Sequence, residues 1–304
     1  MKLKDVWIER QSEIIEDVDE LEKHMFLELP VSVRINTLKA KRNEIIKRLK
    51  QKGWKLKQVP FYKDGFILKE REYAIGNTLE HFLGYIYKQE VASMIPPVVL
   101  NPKEGDVVLD MAAAPGSKTT QMAQMMKNKG VIVANERYLQ RMIALRSNLQ
   151  RCGVMNTIAT GMDGKWFKKV SIKFDKILLD APCTGTGIIM KSPHTAKTWS
   201  LRASIIASNL QKQLIASAIS CLKEGGVLVY STCSLEPEEN EEVVNYAIKK
   251  FGVSVERIRL KDFKIRNGVV RFGKKTFFED VKKCARIYPQ DNKTSGFFVA
   301  KLRK

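Results

Sequence analysis

From residue 105 onward, short apolar runs alternate with longer stretches of helical periodicity. The runs are "DVVLD" (106–110), "GVIVANE" (130–136), "NTIAT" (156–160), "DKILLD" (175–180) and "GGVLVYS" (225–231). Between them, 117–127, 138–151 and 201–222 read as helices. Strands that alternate with helices predict βαβ units and a parallel sheet, because parallel neighbours need a crossover connection. A last apolar run, "GFFVAKL" (296–302), follows a basic loop.

The first hundred residues have a different texture. Residues 8–28 predict an acidic helix. "VSVRINTL" (31–38) alternates as a strand does, and "KRNEIIKRLKQKGW" (41–54) places Ile45, Ile46 and Leu49 at helical spacing with Gly53 as a stop. "FILK" (66–69) reads as a short strand, and 88–99 as a helix broken by Pro96-Pro97. The pattern predicts an α/β protein in two parts: a small N-terminal α+β module over 1–95 and a doubly wound sheet over 96–304.

Composition narrows the class. In 304 residues, 44% hydrophobic and 28% charged content fits a globular chain, and no apolar run reaches the roughly 18 residues of a membrane span. The charged N-terminus has no apolar signal core, so a cytoplasmic location is expected. Five cysteines without a CxxC fit a reducing compartment, and three scattered histidines offer no metal site. The formal net charge is +20. Residues 31–71 and 251–304 each carry a net +10, around a centre of only +5. Such segments suit a polyanion, nucleic acid above all. Adaptation to a hot or saline habitat is the competing reading.

The strand ends carry the chemistry. "VLDMAAAPGSKTTQ" (108–121) is a strand, a turn of small residues and a helix start, where the backbone can approach a ligand and free N–H groups are on offer. It has the spacing of neither a Walker loop nor a GxGxxG fingerprint. Glu136 closes the second strand, where an acid commonly holds ribose hydroxyls. Asp163 follows the third strand and Asp180 ends the fourth. Two cysteines follow strand ends, Cys183 in "DAPCTGTG" and Cys233 in "YSTCSLEPEEN". Cys152, Cys221 and Cys284 read as core residues.

"DMAAAPGSKT", "DAPCTGTG", "YSTCSLEPEENE" and "TSGFFVAKL" resemble, in order and spacing, the motifs of the RNA cytosine-5 methyltransferases of the NSUN/Sun type, and "LPVSVRINTLKA" (29–40) resembles that family's N-terminal motif. The resemblance spans about residues 25–302. It implies a Rossmann-like methyltransferase domain behind an RRM-like RNA-binding module, with S-adenosyl-L-methionine as methyl donor. Ala112, Ala113, Ala114, Pro115, Gly116, Ser117 and Lys118 would wrap the methionine end of the donor. Glu136 would take its ribose, Asp163 would lie by the adenine, Asp180 near sulfonium and target base, and Arg141 would be a further contact. Ser117 stands where the family often has glycine, and serine suits a helix N-cap. The loop "MKSPHTAKTWS" (190–200) departs from the family's arginine- and acid-rich pattern, and its Lys191, His194 and Lys197 are secondary RNA candidates.

Carbon-5 of cytosine is a poor nucleophile until a thiolate adds to carbon-6. Cys233 is the expected nucleophile, Cys183 a second thiol in the same cleft, and Asp180 a donor toward nitrogen-3. The expected partner is RNA, tRNA before ribosomal RNA, bound by a monomeric chain without metal or membrane. A catalytically inactive RNA-binding assembly factor and a nicotinamide-dependent Rossmann enzyme are the rival classes.

Overall fold

The computed structural model describes residues 3–70 and 74–304. Residues 1–2 of the N-terminal module, and Arg71, which closes the first basic segment, lie outside the described residues. The N-terminal sheet comprises β1 (Ser32–Ile35), β2 (Lys55–Val59), β3 (Tyr62–Glu70) and β4 (Ile86–Lys88), antiparallel in the order β2-β3-β1-β4. Helix Arg42–Gln51 follows β1 and helix Leu79–Phe82 precedes β4, giving the β-α-β-β-α-β chain order of a split βαβ unit. Ile45 and Leu49 seat the first helix on Val33, Ile35, Trp54 and Phe66.

The larger sheet begins with β5 (Val107–Asp110), β6 (Val131–Asn135), β7 (Thr157–Thr160), β8 (Phe174–Asp180) and β9 (Leu222–Thr232), parallel in the order β7-β6-β5-β8-β9. β8 explains why these strands are buried on both faces. Ile177 and Leu179 point to a core shared with Ile215, Ala218 and Ile219 of helix Leu201–Cys221. Leu178 points the other way, onto Met122 and Ala123 of helix Ser117–Met125. Strand order reverses between β5 and β8, which opens a crevice at their carboxyl ends.

Five further strands complete the C-terminal region before the last: β10 (Ser254–Glu256), β11 (Arg266–Asn267), the ribbon β12 (Arg271–Phe272) and β13 (Lys275–Thr276), and β14 (Ala285–Ile287). The last, β15 (Phe297–Arg303), runs antiparallel to β9 and pairs with β10 and β14. This is the Rossmann-like sheet expected from the alternation of strands and helices.

Several local expectations are corrected. The basic loop before 296 contains these short strands. The acidic helix of 8–28 is two helices, Asp5–Ser12 and Val18–His24, parted at a turn where Asp17 is drawn into a two-pronged ion pair with Arg266, 249 residues away. The expected helix of 88–99 begins later, as Ile95–Leu100, because residues 86–88 pair with β1. Pro96 and Pro97 open that helix instead of breaking it, since first-turn N–H groups have no helical acceptor.

Candidate active site

The site grows from the carboxyl ends of β5, β6, β8 and β9. After β5, the chain turns through Met111–Gly116 into helix Ser117–Met125. Gly116 is the N-cap, at a φ of 103°, and Ser117 is already helical, so the expected serine cap is a glycine in the left-handed region. Asn135, buried at the end of β6, donates to the carbonyls of Met111 (3.2 Å) and Met162 (2.9 Å) and accepts from the Met162 N–H (2.9 Å). One amide thus ties the end of β6 to the loops that follow β5 and β7.

Glu136 follows, 3% exposed. One carboxylate oxygen accepts the Tyr138 N–H at 2.9 Å and the other lies 3.3 Å from Arg141. Arg141 also donates to the Ala114 carbonyl at 2.8 Å, so it joins the small-residue loop to Glu136. Asp163 caps the short helix Gly164–Lys169 and pairs with Arg137 at 3.2 Å.

Asp180, at the end of β8, lies 2.7 Å from the Lys118 ammonium and accepts the Ser231 hydroxyl at 2.7 Å. Lys118 also donates to Ser93 at 3.0 Å and sits over the Phe297 ring. Burial works against its charge, but the Asp180 carboxylate outweighs that and raises its pKa. The Lys118 side chain thus reaches the Asp180 side of the crevice.

Cys183 and Cys233 face each other with their sulfur atoms 3.1 Å apart, although 50 residues separate them. The strand pairing of β8 with β9 brings them together. The hydrogen bond to Cys233, then burial, then the charges of Cys233, Glu239 and Asp180 push the Cys183 thiol well above its ordinary pKa. Cys152, Cys221 and Cys284 are buried in the core.

A cavity of about 310 Å³ is walled by Ala112, Ala114, Glu136, Arg141, Asp163, Asp180, Cys183 and Cys233, together with Tyr138, Leu210 and Leu214. Ala113, Pro115, Gly116, Ser117 and Lys118 are not among the residues that line it. Lys191, His194 and Lys197 are exposed. Side chains the motifs did not single out hold the site in shape: Asn135, Ser231, Ser93 and Glu239. The asparagine before Glu136 was a readable signal, since a polar residue closing an apolar run needs partners.

Many cations of the two basic segments are already paired. Arg48 and Lys52 hold the buried Glu80, Arg286 holds the buried Glu241, and Lys301 and Arg303 share Glu256. Lys47, Lys50, Lys57 and Lys63 of the N-terminal module are exposed.

The family model described as 16S rRNA methyltransferase RsmB/F matches residues 97–303, and that of the N-terminal domain of 16S rRNA methyltransferase RsmF matches residues 3–91. The chain is 44% identical to the tRNA (cytosine(49)-C(5))-methyltransferase of Pyrococcus abyssi, over 100% of this chain and 97% of that one. It is 43% identical to ribosomal RNA small subunit methyltransferase F of Vibrio atlanticus, over 90% of this chain but only 57% of that protein. The crystal structure of NSun6 from Pyrococcus horikoshii with SFG superposes with a TM-score of 0.83 at 29% identity, covering 95% of this chain and 94% of that one.

Proposed function

The chain belongs to the RsmB/F family of RNA cytosine-C5 methyltransferases, and from that premise we propose that it methylates carbon-5 of cytosine in tRNA, through a covalent bond between Cys233 and carbon-6 of the base. The observation that carries the reading is the pair of sulfur atoms 3.1 Å apart beside Asp180, on the wall of an acid-lined cavity.

The cavity chemistry fits S-adenosylmethionine. Glu136, Asp163 and Asp180 are acceptors suited to ribose hydroxyls, an adenine amine and a sulfonium cation, and the small side chains of Ala112 and Ala114 leave room between them. NSun6, the structural relative solved with SFG, an analogue of S-adenosylmethionine, supports the same choice. When bound, S-adenosylmethionine supplies an electrophilic methyl group. The protein's own part is to activate the base. Cys233 thiolate adds to carbon-6, which makes carbon-5 nucleophilic. The Lys118–Asp180 pair faces nitrogen-3 and offers a proton to the charge that builds there.

Cys183 then acts as base. Before the adduct, Cys233 is the leading cause of its raised pKa. Once Cys233 has become a thioether that cause is gone, so Cys183 can release its own proton to solvent, take the proton from carbon-5 as thiolate, and let Cys233 leave as thiolate.

Residues 1–95 serve in this reading as the RNA-binding module and 96–304 as the catalytic domain. The near-complete overlap with a tRNA enzyme, against little more than half of the Vibrio ribosomal one, supports tRNA as substrate. Five free thiols suit a cytoplasmic enzyme. Bisulfite sequencing of tRNA and ribosomal RNA from cells with and without the gene tests the proposal. A cytosine in tRNA that loses protection in the deletion is expected. Loss confined to ribosomal RNA overturns the substrate, and no loss in either overturns the activity.

A further inference from the structure

The acidic stretch after Cys233 looks like a solvated loop, yet Glu236, Glu239, Asn240 and Glu241 are fully buried. Glu239 sits where the two cysteine loops meet. One carboxylate oxygen accepts the backbone N–H of Thr184 at 2.9 Å and the Gln211 amide at 3.0 Å. The other accepts the hydroxyls of Ser234, at 2.8 Å, and Thr184. Thr184 follows Cys183 in the chain, and Ser234 follows Cys233. Gln211 also donates to the carbonyl of Pro182, the residue before Cys183, at 2.9 Å.

We propose that Glu239 is a positioning residue for methyl transfer: its carboxylate clamps the two cysteine loops together and sets a negative charge beside Cys183. The inference rests on the functional reading above and deepens it. A buried carboxylate held by neutral donors is a costly way to join two loops, and an amide of the same shape would join them more cheaply. The two hydroxyls on one side of Glu239 can turn from donor to acceptor, so glutamine could fill the same place. The charge therefore has a use of its own. It opposes ionisation of Cys183 together with Cys233 and Asp180, while Lys118, paired with Asp180, is a cation that works the other way, and the Tyr230 phenol also faces the thiol. Premature loss of the Cys183 proton would leave two negatively charged sulfur atoms in contact.

The backbones of the loops are also joined directly, Gly187 N–H to the Cys233 carbonyl and Ala181 N–H to the Ser231 carbonyl, each at 2.8 Å. Glu239 variants should therefore keep the fold and lose only the alignment of the thiols.

The test uses full-length protein, an unmodified tRNA transcript and tritiated S-adenosylmethionine. Glu239→Ala should lower kcat about 100-fold with KM for both substrates little changed, as a misplaced reacting group does. Glu239→Gln should recover most of that turnover, with its pH profile displaced to lower pH. Thr184→Val and Ser234→Ala, which each remove one hydroxyl donor, serve as milder versions should Glu239→Ala fold poorly. A second readout needs no RNA: iodoacetamide labelling of Cys183 across pH, resolved by mass spectrometry. Glu239→Gln should label at lower pH than wild type. Wild-type kcat in Glu239→Ala overturns the clamp, and superimposable labelling curves overturn the role of the charge. Wild-type enzyme that transfers no methyl group defeats the functional reading instead, and the labelling curves then decide the inference separately.

Discussion

The guanidinium of Arg34, in the second-last position of β1, lies 2.7 Å from the hydroxyl of Thr120, on the helix that springs from the small-residue loop. The same side chain donates to Gln124 on that helix and to Gln89 at 3.0 Å, and it is fully buried. The residue that anchors the "VSVRINTL" motif is thus a clasp between the small sheet and the large one. Only the guanidinium fork reaches three acceptors at once. Arg34→Lys should lower unfolding stability by about 2–4 kcal/mol, because two buried acceptors lose their donor. Urea denaturation measures it, and an unchanged midpoint would remove Arg34 from the junction.

How much of this was legible in the sequence depends on where each signal lies. β8 was plain, since "DKILLD" is buried on both faces and every residue in its centre is apolar. β2, "KLKQV", gave no signal because it is an edge strand with polar residues on its exposed side. Helix Glu241–Phe251 was not expected, although Val243, Val244 and Ala247 mark its buried face. At the site, Cys183, Cys233 and Asp180 were legible as strand ends. The pairing of Lys118 with Asp180 and the burial of Glu239 were not, because both depend on contacts across more than 50 residues of chain.

Glu136 is nearly buried, and Tyr138 and Arg141 already hold its carboxylate in place. In the proposed function, ribose hydroxyls would find it already ordered. Glu136→Ala should weaken S-adenosylmethionine binding by about 1–3 kcal/mol. Isothermal calorimetry on the free enzyme reads this directly, and equal affinity would exclude Glu136 from the cofactor site.

Net charge overstates the surface offered to RNA. Lys52 is committed to Glu80, so neutralising it would disturb folding as well as binding. Lys47 and Lys50, exposed on helix Arg42–Gln51, are the cleaner probes. Replacing both with glutamine should weaken tRNA binding and reduce the slope of log K against log salt by about 2, one counterion for each phosphate no longer neutralised. An unchanged slope would make that helix face a solvated surface only.

Burial pushes Glu236 up to about 7, against the opposing pull of Arg10 and the Trp7 indole. The unfolded chain releases this proton near the ordinary value of 4.5, so between about pH 4.5 and 7 the folded state binds more protons than the unfolded one. Stability should accordingly fall as pH rises through that window, by on the order of 3 kcal/mol at most from this group. Glu236→Gln keeps an acceptor for Trp7 and removes the titration. Its melting temperature should vary less between pH 5 and 7 than that of wild type, and parallel curves would show that Glu236 ionises freely in the folded protein.

The two thiols make opposite predictions when each is removed. Without Cys233 no bond to carbon-6 can form, so Cys233→Ala should lose methylation while binding S-adenosylmethionine normally. Without Cys183 the bond forms and the methyl group transfers, but the carbon-5 proton stays in place and Cys233 cannot leave. Cys183→Ala should therefore remain attached to tRNA through denaturing electrophoresis, and the attachment should require S-adenosylmethionine. The double variant should show no attachment, because the nucleophile is missing whatever the base does. These variants separate the two roles, which the 3.1 Å contact alone does not, since both sulfur atoms line one cavity. The hydrogen bond to Cys233 and burial hold the Cys183 thiol above its ordinary pKa, and the motif resemblance assigns the nucleophile to Cys233. Attachment that persists in Cys233→Ala and vanishes in Cys183→Ala would reverse the two roles, and with them the order of proton transfers.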